Sequence, residues 1–112
     1  FHVPFGSDGM PFHPLYGIWS AVNHPNPDSR ITVEEAVRCY TLDGAYATRE
    51  EGIKGSVEAG KLADIAVLPM DITEPEFKLK ATDAGTVEAA KKRLKAYKVD
   101  ITILNGDIVY KA

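Results

Sequence analysis

The stretch "VDITILNGDIVYKA", residues 99–112, carries the clearest β signal of the chain. Its centre, Asn105-Gly106, is typical of a two-residue type I′ turn, because both turn positions adopt a positive φ. Such a turn would place two cross-strand pairs on one apolar face, Ile103 with Ile108 and Ile101 with Tyr110. Since an isolated two-stranded hairpin is marginally stable, we expect this face to pack on further sheet or on a helix.

A second β signal lies upstream, in "GSVEAGKLADIAVL" at residues 55–68. Its glycines favour tight turns, and the run "DIAVL" is short, apolar and partly β-branched, so it predicts a strand. This strand is a candidate neighbour of the C-terminal hairpin.

Residues 10–50 are predicted to be largely helical. Pro14 suits the first turn of a helix, where its missing N–H is harmless. The apolar residues that follow keep the spacing of one buried helix face: Leu15, Ile18, Trp19 and Val22. The proline-rich stretch "NHPNPDS", residues 23–29, is expected to end this helix in a loop.

A second helix is predicted to begin at the capping box "TVEE", residues 32–35. In this motif the Thr32 hydroxyl accepts the Glu35 N–H, and the Glu35 carboxylate accepts the Thr32 N–H. The apolar positions keep helical spacing, at Val33, Ala36, Val37 and Tyr40. Gly44 is expected to interrupt the run before a short helix around Ala45–Thr48.

Residues 71–85 combine acidic residues, threonines and a proline, which predicts an exposed connection. A further helix is predicted from Thr86, with an apolar face formed by Val87, Ala90, Leu94 and Tyr97. Five cations crowd its C-terminal part: Lys91, Lys92, Arg93, Lys95 and Lys98. They are most simply a solvated helix face that interacts favourably with the helix dipole; binding of nucleic acid or of an anionic surface is the alternative.

The composition is that of a folded chain of one compact unit, with 112 residues, 45% hydrophobic and 26% charged. Its apolar stretches are shorter than the roughly 18 residues of a membrane span. A net charge of −3 and a pI near 5.6 give no general attraction to phosphate. We therefore expect neither nucleic acid nor membrane as a partner. Cys39 lies in an apolar pattern that indicates a buried, inert thiol, and a lone cysteine fits a reducing, cytoplasmic location.

The sequence contains no self-contained phosphate, nucleophile or zinc motif. Its three histidines, His2, His13 and His24, are separated by 11 residues each, a spacing that matches no short metal-ligand pattern. For these side chains we expect loop packing or solvent exposure rather than metal binding.

Asp8 stands out in the opening stretch "FHVPFGSDGMPFHP", residues 1–14. An apolar segment ends at Gly6-Ser7, the carboxylate follows, and a loop leads to the helix at Pro14. At such strand-to-loop junctions α/β barrels gather their catalytic carboxylates. On the residues alone an ordinary turn is the simpler interpretation, and a strand that delivers Asp8 to a site stays open.

Five segments occur in a specific order: "GSD", "PLYGIWSAV", "RITVEEAVRCYTLDGAYAT", "KGSVEAGKLADIAVL" and "VDITILNGDIVYKA". Together they resemble the C-terminal part of the metal-dependent amidohydrolase superfamily, in particular the amidohydrolase-3 type related to D-aminoacylases. Residues 70–98 match least. The resemblance implies a (β/α)₈ barrel whose last strand and helix lie within residues 1–50, with Phe1–Gly6 as the end of that strand. Residues 51–112 would supply strands to a composite β-sandwich built from both chain ends, and the isolated chain would be an α+β fragment.

The resemblance also implies a site. In the family an aspartate at the end of the eighth strand contacts the catalytic metal or its bound water and serves as general base and proton shuttle. Asp8 holds that position. Gly9, Met10 and Phe12 in the following loop either line the substrate pocket or form a purely structural loop. The implied cofactor is a divalent metal, expected to be zinc, and the substrate is a small molecule with an amide-type C–N bond.

The other metal ligands of the family lie on earlier strands that this sequence does not contain, and a barrel needs roughly 250 residues. We therefore expect a fragment that alone binds no catalytic metal and hydrolyses nothing. Its unpaired first segment and sheet edges favour self-association. Lys61 and Asp64 resemble a catalytic pair, but the resemblance places them in the sandwich, where turn capping and a salt bridge at the rim are expected.

The alternative is a small stand-alone α+β interaction module in which Asp8 is only a turn residue and the basic helix meets a partner. The upstream coding sequence distinguishes the two. Several hundred further residues with a strand-borne His-x-His would support the hydrolase, and an initiator Met directly before Phe1 would exclude it.

Overall fold

The computed structural model describes residues 1–9, 12–73, 88–89, 92 and 96–112. Within them the chain combines short helices with one antiparallel sheet, as expected for an α+β fragment. The elements are α1 (Pro14–Val22), a 3₁₀ turn (Pro27–Ser29), α2 (Val33–Tyr40), α3 (Leu42–Ala47), β1 (Ile65–Val67), β2 (Ile101–Leu104) and β3 (Asp107–Lys111).

The residues form two compact units. The sheet unit consists of Phe1–Gly6, Arg38–Met70 and Lys98–Ala112, and the helical unit consists of Ser7–Val37 and Asp71–Tyr97. The assignment of residues 1–50 to a barrel and 51–112 to a sandwich concerns a longer protein and stays a prediction.

The C-terminal hairpin forms as the sequence predicts, apart from one pair. The strand order is β1-β2-β3, so the predicted neighbour β1 does join the hairpin. Ile103 lies opposite Ile108, but a register shift between Thr102 and Ile103 places Tyr110 opposite Thr102. The predicted pair of Ile101 with Tyr110 is therefore wrong, because an irregularity of this kind breaks the period of two.

The hairpin turn has the backbone that its sequence predicts. Asn105 has φ 50° and Gly106 has φ 88°, the two positive values of a type I′ turn. Asp64 accepts the Asn105 N–H at 2.8 Å, so its predicted role in turn capping is confirmed. Lys61 pairs with Glu58 at 2.9 Å.

The apolar side chains of the hairpin remain accessible to solvent in the described part of the chain. Ile108 is 62% exposed, and every residue of β3 is exposed. The hairpin gains β1 as a neighbour in the sheet, but in the described residues the expected packing of its apolar face is not seen. Three short strands can satisfy one another's backbone hydrogen bonds and still leave the apolar face of the sheet without a covering layer.

Helix α1 buries the predicted stripe. Pro14 occupies its first turn, and four side chains are buried: Leu15, Ile18, Trp19 and Val22. Each such side chain stabilises the fold by roughly 1.5–3 kcal/mol when it leaves water. The helix ends at Asn23, whose φ of −110° and ψ of 28° are not helical; its backbone N–H still donates to the Trp19 carbonyl at 2.9 Å.

The capping box at the start of α2 is confirmed in both directions. The Thr32 N–H donates to Glu35 Oε2 at 2.7 Å, and the Glu35 N–H donates to Thr32 Oγ1 at 3.1 Å. Cys39, near the end of α2, is buried as expected.

The predicted break at Gly44 is wrong. Gly44 lies inside α3, and the helical run is interrupted at Thr41, whose φ of −119° and ψ of −87° are not helical. A glycine within a helix costs only about 1 kcal/mol relative to alanine. Burial of the neighbouring Asp43 and Ala45 keeps this turn helical despite the glycine.

The first segment is expected to end a barrel strand of a longer protein, and that assignment stays a prediction. Among the described residues, none of Phe1–Gly6 belongs to a strand. Val3 donates its N–H to Asp43 Oδ2 at 3.1 Å, and Phe5 donates its N–H to the Cys39 carbonyl at 3.0 Å. Residues of α2 and α3 thus bind the backbone of the first segment within this chain.

Met10 and most of the predicted helix from Thr86 lie outside the described residues, so the apolar face and the basic cluster of that helix remain predictions. In the described parts of the chain, no helix has the length and apolar character that a membrane crossing requires.

Candidate functional site

Asp8 lies in an exposed turn at the start of the helical unit. Its φ is 42°, a left-handed conformation that aspartate tolerates better than most residues because its short side chain bonds locally. Asp8 and Gly9 form the turn itself, and both are exposed. The carboxylate is therefore accessible to water and to a ligand from outside the chain. Asp8 is also a turn residue, as the simpler interpretation of the sequence predicts.

The loop residues predicted to line a pocket do not enclose Asp8 in the described structure. Gly9 is exposed, and the Phe12 side chain is 88% exposed. Met10 lies outside the described residues. An aromatic ring with that exposure has little contact with the chain, so its contribution to a substrate pocket stays a prediction.

A metal ion requires several His, Cys, Asp or Glu side chains around one point. In residues 1–9, 12–73, 88–89, 92 and 96–112, no three such side chains lie close enough to share an ion. The ring of His24 contacts the backbone of Asn26, and that of His2 contacts Asp43. Asp8 thus offers one carboxylate, and the described residues do not by themselves fit a metal centre.

A second carboxylate, Asp43 of α3, was not singled out by its sequence pattern. Its side chain is 4% exposed and accepts hydrogen bonds from three donors, two in the first segment and one in α2. His2 Nδ1 lies 2.9 Å and Arg38 Nε 3.1 Å from Oδ1, and the Val3 N–H lies 3.1 Å from Oδ2. We call this group the Asp43 anchor.

These donors hold Asp43 in its charged form. The hydrogen bond from His2 is the largest cause that lowers the Asp43 pKa, to about 2; burial opposes it, and Val3 and Arg38 add to the lowering. A charged carboxylate only accepts hydrogen bonds, so His2 Nδ1 is the donor in the 2.9 Å bond to Asp43.

Ring contacts extend the Asp43 anchor along the first segment. The His2 ring stacks on Tyr46 with centroids 3.8 Å apart. Phe5 meets Tyr40 edge to face at 5.4 Å, beside the backbone bond from Phe5 to Cys39. The first segment is therefore fixed to residues 38–46 through side chains and main chain together.

One signal in the sequence pointed to Asp43. It lies four residues after Cys39 and seven after Ala36, the spacing of one helix face in the sequence, although Thr41 separates α2 from α3 in the structure. A charged residue on a buried stripe requires partners. Its partner His2 lies 41 residues away, and no local pattern predicts that contact.

Comparison with known proteins adds a finding about the whole chain. Residues 1–110 match the Amidohydrolase family. A curated relative, N-substituted formamide deformylase from Arthrobacter pascens, is 36% identical over 67 aligned positions, which cover 54% of this chain and 12% of the relative. No solved structure matches the chain at a significant level. Because the family match extends over nearly all residues, the chain belongs to the amidohydrolase family.

Proposed function

We propose that this chain is the C-terminal segment of a metal-dependent amidohydrolase that hydrolyses an amide or related C–N bond. The observation that carries the proposal is the family match over residues 1–110. The similar protein from Arthrobacter pascens is named a deformylase of N-substituted formamides, and the matched region is 12% of its length. The substrate class proposed for this chain is accordingly a small molecule with an acyl group on nitrogen.

Asp8 is the catalytic residue that we propose for this segment. In C–N hydrolysis a water oxygen adds to the carbonyl carbon, the C–N bond breaks, and the amine leaves with a proton. An exposed carboxylate can accept the proton of the attacking water and give it to the leaving nitrogen. The exposure of Asp8, directly after Gly6 and Ser7, supports this role. Gly9, Met10 and Phe12 remain proposed substrate contacts.

The metal is proposed for the longer protein, with zinc as the expected ion. In the described residues no three side chains form a ligand set, and further ligands are proposed to come from other parts of the longer protein. The barrel and the composite sandwich are proposed for the longer protein on the same family grounds.

The experiment that tests this function starts from the coding sequence upstream of Phe1. The longer protein is expressed and assayed for release of amine from N-formyl, N-acetyl and N-benzoyl amines, before and after chelation, and after zinc is returned. We expect hydrolysis of at least one amide class, loss of activity on chelation and recovery with zinc. The 112-residue chain, assayed beside it as a control, should release no amine.

Two results would contradict the proposal. One is a coding sequence with an initiator Met directly before Phe1, which would favour the interaction module. The other is a longer protein whose amide hydrolysis, once found, is unchanged after chelation.

A further inference from the structure

We propose that Asp43 is a positioning residue of this hydrolase: it fixes the first segment, from which the chain continues directly into Asp8. The inference rests on the proposed function, because it assigns Asp43 a role in presenting the catalytic carboxylate. Asp43 itself contacts the segment and touches no reacting atom.

Asp43 holds both the main chain and a side chain of the first segment. Its Oδ2 accepts the Val3 N–H at 3.1 Å, and its Oδ1 accepts from His2 at 2.9 Å. Two successive residues of the segment are thus bound to one carboxylate. A main-chain bond fixes the path of the chain, whereas a side-chain bond alone leaves it free to shift.

The Asp43 carboxylate is itself held in place by a neighbouring helix and by burial. Arg38 of α2 donates to Oδ1 at 3.1 Å, and the Asp43 side chain is 4% exposed. Two other charged or titratable groups therefore face Asp43, His2 from the first segment and Arg38 from α2. Burial excludes the water that would otherwise compete for the same oxygens.

The first segment and Asp8 are close together along the chain. Phe5 donates its N–H to the Cys39 carbonyl, so the last fixed residue is followed by only Gly6 and Ser7 before Asp8. Loss of the Asp43 anchor removes the bonds to His2 and Val3 and leaves the segment before Asp8 tied mainly through Phe5. A displacement of about 1 Å at a catalytic group can lower the rate about a hundredfold.

The test is a double-mutant cycle in the longer protein with Asp43→Asn, Asp8→Asn and both together. Asparagine keeps the shape of Asp43 but loses its charge and turns an N–H₂ group toward donors. We expect Asp43→Asn to lower kcat about tenfold to a hundredfold. Its KM should change by less than about threefold, because placement of a base affects turnover more than uniform binding.

The cycle separates positioning from general damage. In the Asp8→Asn background, Asp43→Asn should lower kcat no further, since the group that it positions is already lost. Asp64→Asn is the matched control: Asp64 also accepts a backbone N–H from a segment 41 residues away, at the hairpin turn. This control should leave kcat within about twofold of wild type.

Each other outcome has a defined meaning. A kcat for Asp43→Asn equal to that of Asp64→Asn, or an equal loss in both Asp8 backgrounds, overturns the positioning role. Near-normal turnover of Asp8→Asn overturns the proposed function itself. If far-UV circular dichroism shows that Asp43→Asn does not fold, Arg38→Gln replaces it in the cycle. This substitution removes one donor from a half-exposed side chain and should lower kcat in the same, Asp8-dependent way; unchanged kcat would overturn the inference.

Discussion

Asp8 and Asp43 are carboxylates in opposite surroundings. Asp8 lies in an exposed turn with a left-handed backbone, whereas Asp43 is buried and accepts hydrogen bonds from His2, Val3 and Arg38. A buried carboxylate whose oxygens are already bonded is a poor proton acceptor, because its low pKa reflects how strongly the charged form is held. In this fold Asp43 holds the first segment, whereas Asp8 stays accessible to solvent.

The largest effect on stability is expected from a substitution that creates a steric clash with α3, the helix that carries Asp43. At Gly55, with φ +95°, an added Cβ would lie 2.8 Å from the Ala45 Cβ and 3.0 Å from the Leu42 Cα. Gly55→Ala should therefore lower the free energy of unfolding by about 2 kcal/mol or more. Urea unfolding of the 112-residue chain, followed by circular dichroism, measures it.

Gly60 provides the matched control for that substitution. Its φ of +90° is equally left-handed, but nothing lies within 4 Å of an added Cβ. Gly60→Ala should cost only the backbone strain, about 1 kcal/mol. Equal losses of unfolding free energy in the two variants would show that α3 does not pack against Gly55. That result would contradict the description of Asp43 as enclosed by tight packing.

A smaller effect is expected from acid. The Asp43 pKa is lowered from 3.8 to about 2, so the unfolded chain binds its proton first as the pH falls. The contribution of Asp43 to stability is therefore complete above about pH 4 and is lost as the pH falls toward 2. Between these values, stability should depend less steeply on pH in Asp43→Asn than in wild type.

Glu58 is the control for the acid prediction, because its pKa is also lowered, by hydrogen bonds from Ser56 and Lys61. Its side chain is 63% exposed, and water screens its partners. Glu58→Gln should flatten the pH dependence less than Asp43→Asn. Acid unfolding curves with the reverse order would contradict the assignment of Asp43 as the firmly held carboxylate.

Elements with local causes could be predicted from the sequence. The capping box at Thr32 and the type I′ turn at Asn105 each depend on residues within one turn, and both form as predicted. The helix face from Leu15 to Val22 follows from spacing alone. The family resemblance, which the match over residues 1–110 confirms, came from several such segments in order.

Features with distant causes could not be predicted. The bond between His2 and Asp43 joins residues 41 apart, and it accompanies a helix that runs through Gly44 instead of stopping there. The register shift at Thr102 likewise has no signature in the alternating pattern of β2. For Asp8 the position in an exposed turn followed from neighbouring residues, but its catalytic role rests on the family and not on any geometry within this sequence.

The most direct test of that role is the turnover number of Asp8→Asn in the longer protein, measured beside Asp28→Asn. Asp28 is another exposed loop aspartate of the helical unit, so its substitution controls for loss of a surface charge. With the fold intact, we expect Asp8→Asn to lower kcat about a thousandfold, the range of a lost general base, and Asp28→Asn to leave it unchanged. Equal and near-normal kcat values for the two variants would contradict the assignment of Asp8 as the catalytic base.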